Sequence, residues 1–231
     1  MTARAGDERT VIVSVVPRSA VNHKLPLLTS DHDPTCLIAN LNTLVFDYCA
    51  RQKLGGTDLT YFYVKQFPIL PPDAYTTADL RFIVPRVAEL VGTAWDIQPF
   101  LDDVWSRADP TLQKVILDQW EANRLETGGH AATPPDWYVE RKGLWPRPPF
   151  KWKASRRAAL RAELDAYYAR LYELNLEDLQ FILDPQAALG ADYPSETFRV
   201  LKEKEVTKFG EYQTQRLVLE AWSRLQRGEL L

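Results

Sequence analysis

Residues 33–72 read DPTCLIANLNTLVFDYCARQKLGGTDLTYFYVKQFPILPP, and this stretch decides how the rest of the chain is read. Asp33 suits a helix N-cap, and Pro34 suits the first helical position, where its missing N–H costs nothing. Leu37, Ile38, Leu41, Leu44, Val45 and Tyr48 recur at three- and four-residue spacing, which predicts one amphipathic helix. Arg51 and Lys53 fall in its last turn, where cations complement the negative helix end. Gly55 and Gly56 then stop the helix, because glycine accepts the left-handed conformation of a C-cap. Thr60–Leu70 is rich in aromatics, but Pro68, Pro71 and Pro72 exclude a central strand. An extended edge segment leaving a sheet is the expectation there, with a first helical turn as the alternative.

Outward from this unit, Thr10–Val16 (TVIVSVV) is short and β-branched and predicts a buried strand. Thr77–Val91 predicts a helix that Thr77 can cap and that Pro85 should kink or break. Trp95–Trp105 reads as a compact turn with bulky anchors. Pro110–Leu125 reads as a further helix, and Gly128–Pro149, rich in Gly, Pro and Trp, as a boundary or long loop. Ala154–Leu174 has a clear helical period. Asn175 with Asp178 three residues on forms a capping box for a short helix, and Phe209–Leu225 predicts the last helix. The expected fold class is α+β, helix-rich, with a small sheet and C-terminal helices.

The 231 residues suffice for one large domain or two small ones, and 45% hydrophobic content supports a core. A net charge of −3 argues against a protein that coats nucleic acid everywhere, yet leaves room for a local basic groove. Charge is unevenly placed: residues 76–140 carry a net of −6 and residues 141–231 a net of +3. Arg141–Arg157 (RKGLWPRPPFKWKASRR) holds seven Lys/Arg and no acid. Cys36 and Cys49 lie on the same predicted helix, too far apart to pair within it, so reduced thiols are expected. No apolar run approaches a membrane span and no signal peptide is read, so no membrane partner and a cytoplasmic location are expected.

Several chemistries find no motif: there is no phosphate-binding glycine loop, no nucleophile elbow and no zinc spacing among His23, His32, His130 and the two cysteines. Glu203, Lys204 and Glu205 supply the letters of a nuclease triplet, but such triplets are common in charged helices. No catalytic residue and no metal ligand is assigned. Two stretches suit phosphate instead. In the Gly-Gly turn, exposed amides next to Arg51 and Lys53, with Thr57 after them, fit phosphate oxygens. Gln52 and Arg51 can also contact base edges. In the basic stretch, Trp145, Phe150 and Trp152 interleave with cations and either stack on bases or hold the loop to the domain.

Residues 38–72 resemble the C-terminal target-recognition region of type IIG restriction-modification enzymes and adenine-specific DNA methyltransferases, including methylases of phage-defence systems. Leu41, Asn42, Phe46, Asp47, Arg51, Gln52, Lys53, Gly55, Gly56, Thr57, Leu59, Phe62, Gln66, Pro68, Pro71 and Pro72 occupy positions of that pattern. Glu8–Thr10, Val16–Arg18, Thr93–Asp96, Pro99–Phe100, Arg161–Leu183 and Phe209–Trp222 resemble further blocks of the family, in order. The S-adenosylmethionine loop and the Asn/Asp-Pro-Pro-aromatic motif of the family's methyltransferase domain are absent from these residues, so this chain should not methylate or cut DNA alone. The resemblance implies a recognition module that grips duplex DNA, with no cofactor of its own; S-adenosylmethionine belongs to the family's other domain. It implies a recognition core over 1–127, a basic Trp/Pro-rich loop over 128–153 and a C-terminal helical part over 154–231. Arg51, Gln52, Lys53, Gly55, Gly56 and Thr57 would meet DNA, Arg18 and Lys24 would extend the contact, and Arg141, Lys142, Lys151 and Lys153 would close from the other side. The alternative expectation is a subunit or remnant that docks a separate methyltransferase chain.

Overall fold

The computed structural model describes residues 7–17, 19–21, 25–30, 32–55, 58–130, 133–139, 143–193 and 197–230. Its helices are α1 (Thr35–Leu41), α2 (Leu44–Lys53), α3 (Tyr61–Val64), α4 (Thr77–Val91), α5 (Gln98–Arg107), α6 (Pro110–Thr127), α7 (Ala154–Leu171), α8 (Leu176–Leu183), α9 (Pro185–Leu189), α10 (Arg199–Phe209) and α11 (Gln213–Gln226). Among the described residues there is no strand and no sheet. The fold is all-α, which corrects the α+β expectation.

The reason lies in what replaces the sheet. Residues 11–16 do alternate in burial, as an extended segment should: Val11, Val13 and Val15 face inward, while Ile12, Ser14 and Val16 are exposed. A strand needs a neighbouring backbone, and no described residue bonds its backbone to these. The other β-prone run forms the short helix α3, whose Val64 N–H bonds back to the Thr60 carbonyl. Helix side chains take the neighbour's place. The Asn42 amide accepts from Val13 N–H at 3.0 Å and donates to the Val13 carbonyl at 2.9 Å. Asp47 Oδ1 accepts from the amides of Thr10 and Val11 at 2.7 and 2.6 Å.

The opening helix is two helices. Thr43 has extended backbone angles and its hydroxyl accepts from Phe46 N–H, so it starts α2 afresh. The amide of Leu44 that this break frees is accepted by Asp165 of α7 at 2.6 Å. Burial pushes the Asp165 carboxyl up to about 6, against the pull of Arg9. Asp33 caps by bonding Thr35 N–H, although Pro34 stands at the N-cap position. Helix α2 closes at Leu54, one residue before Gly55, and Gly55 does not take a left-handed φ.

Helix α7 is the axis of the main core. Leu160, Ala162, Leu164 and every residue from Asp165 to Ala169 are buried, the mark of a helix enclosed on several sides. It lies against α2, α4 and α11. Three tyrosines near its end tie separate parts of the chain to it. Tyr167 donates to Asp79 at 2.6 Å, Tyr168 to the Cys36 carbonyl at 2.8 Å and Tyr172 to the Pro68 carbonyl at 2.6 Å. Asp79 also closes a capping box with Thr76, one residue before the expected cap of α4. Pro85 does not break α4, whose flanking Ile83, Val84, Val87 and Ala88 are all held in the core. A second, smaller core under residues 11–13 gathers Val11, Leu41, Phe46, Ala50, Leu59 and Phe67.

Three helices differ from the sequence expectation. Residues 98–107, expected within a turn, form α5 with Pro99 in its first turn. Residues 185–189 form α9, begun by Asp184 and Pro185. Residues 199–209 form α10, which buries no side chain and so shows no apolar stripe in the sequence. The capping box of α8, Asn175 with Asp178, is present as expected. Both cysteines are free, and burial pushes the Cys36 thiol up to about 12.

Candidate nucleic-acid interface

The expected site splits into two surfaces. At the end of α2, Arg51 is spent on internal bonds. Its Nε meets Asp47 Oδ2 at 2.8 Å, its two terminal nitrogens donate to the carbonyls of Thr197 and Glu8 at 2.9 and 2.8 Å, and its guanidinium lies 4.8 Å from the Phe198 ring centre. Each of the three guanidinium nitrogens makes one of these bonds. Arg51 therefore pins the N-terminal segment and the residue before α10 onto α2. Gln52 and Lys53 are exposed, Lys53 reaching the Gln66 carbonyl at 3.3 Å, and Gly55 is exposed. Gly56, Thr57, Arg18 and Lys24 lie outside the described residues, as do Arg141 and Lys142.

The second surface precedes and opens α7. Its extended chain is fixed from below. The Asn123 amide accepts from Lys151 N–H and donates to the Lys151 carbonyl, both at 3.0 Å, and Phe150 N–H donates to the Gly92 carbonyl at 2.8 Å. Gly92 has to be glycine at this approach: a Cβ there would come within 2.6 Å of Leu101 and 2.8 Å of the Ala88 carbonyl. Beneath sits Glu89, buried, which accepts from Gln119, Asn123 and Arg156. Arg156 also meets Glu126, which meets Lys153 at 3.0 Å.

Of the interleaved aromatics, Trp145 and Phe150 are core residues stacked on each other, with Trp105 at the edge of Trp145. They hold the loop to the domain. Trp152 is 62% exposed, and the Arg157 guanidinium lies 3.6 Å from its ring centre while donating to the Leu90 carbonyl. Burial, and then the charge of Arg161, lower Arg157 to about 10, so it stays cationic at neutral pH. Arg147, Lys151, Arg157 and Arg161 form no ion pair among the described residues, whereas Arg51, Arg86, Lys153 and Arg156 all do. Arg147, Arg157 and Arg161 were not expected as individual site residues. The signal for Arg161 was its place one helical turn after Arg157.

These surfaces are tied to opposite ends of α7. Lys151 and Lys153 precede its first residue, while Lys53 bonds to Gln66, two residues before Pro68, whose carbonyl is held by Tyr172 at the C-cap of α7. The helix of eighteen residues between those two ends is about 27 Å long. The described cations therefore do not converge on one pocket.

Other candidates resolve into structure. Glu203 pairs with Arg199, Lys204 with Glu8, and Glu205 accepts from the amide and hydroxyl of Thr214, so the nuclease-like triplet braces α10. No group of three His, Cys, Asp or Glu is arranged to hold a metal among the described residues. No helix among them is long and apolar enough to cross a membrane. No family model, curated protein or solved structure matches the chain.

Proposed function

We propose that this chain is a non-catalytic DNA-binding module of a restriction-modification or phage-defence methyltransferase, gripping duplex DNA through the surface that opens α7. The observation that carries the reading is Arg157 on the exposed Trp152, with Lys151 next to Trp152 in the chain, Arg161 one helical turn on and Arg147 over Trp120, four cations without a carboxylate partner among the described residues. Most other described arginines are ion-paired, Arg81 and Arg170 excepted, and unpaired cations beside an exposed aromatic suit phosphates. Phosphate contacts position a protein on the duplex and base contacts give it sequence preference, so this surface supplies grip. The exposed Gln52 and Lys53 at the other end of α7 are the described residues of the Gly-Gly unit left to reach base edges. S-adenosylmethionine and the chemistry of methyl transfer would belong to a separate domain or chain.

The test is titration of a labelled random duplex at low and at physiological salt, with wild type and with Lys151→Ala plus Arg161→Ala. Wild type should bind, more weakly as salt rises, and the variant should lose affinity at every salt. If wild type fails to bind duplex at low salt while a methyltransferase chain co-purifies with it, the DNA reading fails and the docking reading replaces it.

A further inference from the structure

Residues 10–16 form an extended segment with one bonded edge and one open edge. Val11 and Val13 turn their backbone groups toward α1 and α2, where Asp47 and Asn42 receive them. By the two-residue period of extended chain, Ile12, Ser14 and Val16 turn theirs the other way. No backbone group of Ile12 or Ser14 bonds to any described residue. Pro17, the one residue nearby without an N–H, falls on the satisfied edge by the same period, so it does not interrupt the open one. The side chains of Ile12 and Val16 are exposed, at 61% and 44%, and residues 10–16 carry no charge. Of the devices that protect an edge, residues 12–16 contain neither a charge nor a proline.

The chemistry of that edge narrows its occupant. A row of alternating N–H and C=O groups is matched by another extended backbone and by little else. Nucleic acid is disfavoured, since no cation lies within the segment. The sequence around Ser14 is also self-complementary. In an antiparallel pair centred on Ser14, Ile12 of one chain stands opposite Val16 of the other, twice, and Ser14 faces Ser14. Both are β-branched apolar pairs of the kind that stabilise a sheet.

We propose that the open edge of residues 12–16 is a docking site for a second copy of this chain, joined as an antiparallel pair of extended segments about a twofold axis at Ser14. A twofold, self-complementary contact closes on itself and gives a dimer with no free edge left to extend.

The experiment is sedimentation over a range of concentrations with the full chain and three variants. Wild type should dimerise. Ile12→Pro removes an N–H from the open edge and should give a monomer. Ile12→Lys with Val16→Lys puts like charges opposite each other twice and should weaken the dimer on the order of tenfold. Ile12→Lys with Val16→Glu puts opposite charges there and should restore it. Both positions of change are exposed, and circular dichroism checks that the helices survive. The proposal is overturned by a wild type that stays monomeric throughout, by a dimer that persists in Ile12→Pro, or by failure of the charge-swapped variant to regain what the double-lysine variant lost. A monomeric wild type would leave the edge to a strand of some other protein.

Discussion

Two extended segments, residues 10–16 and residues 145–153, lie on this helical body and are fastened by the same kit. Each has an asparagine, Asn42 just past α1 or Asn123 in α6, that pairs with both backbone groups of one residue, Val13 or Lys151. Each has a buried carboxylate, Asp47 or Glu89, and an arginine on that carboxylate, Arg51 or Arg156. What differs is the outer side. Residues 10–16 present uncharged backbone and apolar side chains, while residues 145–153 present lysines and an exposed tryptophan. The fastening sets where a segment lies, and the residues left over set what it can bind. A basic motif is therefore not a basic surface. Arg51 belongs to an Arg-Gln-Lys run and is consumed by its own fold, because Asp47 stands one helical turn before it.

The largest expected effect comes from removing one carboxylate. Asp47→Ala leaves Arg51 and two backbone amides without their acceptor and should destabilise by about 3–5 kcal/mol, the range for breaking a buried ion pair from one side. Urea unfolding followed by circular dichroism would show the midpoint fall. Glu89→Ala should cost a similar amount at the other segment. The comparison breaks if either variant unfolds at the wild-type midpoint.

A pH effect of intermediate size should come from Asp165. Its carboxyl sits at about 6 in the folded chain, above the unfolded value of about 4, so the group favours folding in its protonated form. That contribution is full below about pH 4 and is lost as pH rises through 6. Asp165→Asn keeps an oxygen for the Leu44 amide without the charge. The variant should exceed wild type in stability by about 2–3 kcal/mol at pH 8, with the gap closing toward pH 4. Equal stability of the two proteins across that interval would mean that Asp165 is not held above its ordinary value.

The smallest expected losses come from the two clips. Asn42→Ala and Asn123→Ala each leave one N–H and one C=O unpaired and should cost about 1–3 kcal/mol by the same unfolding measurement. Asn123 is the more buried clip and should cost more than Asn42→Ala leaves at the half-buried Val13.

How much of this was legible in the sequence depends on how local each signal is. Helices α4, α6, α7, α8 and α11 carry apolar stripes or caps within their own residues and were readable. Helix α10 buries no side chain, so nothing marked it, and the break at Asn42–Thr43 was hidden because the apolar period continues through it. Resolving it required Asp165, more than a hundred residues away, to meet the new amide. The β-branched run 10–16 was rightly extended but wrongly given a sheet, since no local signal says whether a strand will find a neighbour. Asn42, Asp47 and Arg51 sit within ten residues and stood out together. Glu89, Asn123 and Arg156 come from three helices and did not. For the same reason the cationic surface was half visible: Lys151 and Lys153 lie in an obvious run, but the pairing of Lys153 with Glu126 and the freedom of Arg161 are set by tertiary neighbours.

The central claim is that DNA is held by the surface opening α7 and that Arg51 holds the protein together. It is tested by the slope of binding affinity against salt for wild type, Arg51→Ala plus Lys53→Ala, and Lys151→Ala plus Arg161→Ala, each with its unfolding midpoint. Removing two phosphate contacts should lower the slope by about 2. The account predicts that loss for the Lys151/Arg161 variant with an unchanged midpoint, and a lowered midpoint with a smaller change of slope for the Arg51/Lys53 variant. The reverse assignment, a full loss of slope at unchanged stability when Arg51 and Lys53 are removed, would contradict it.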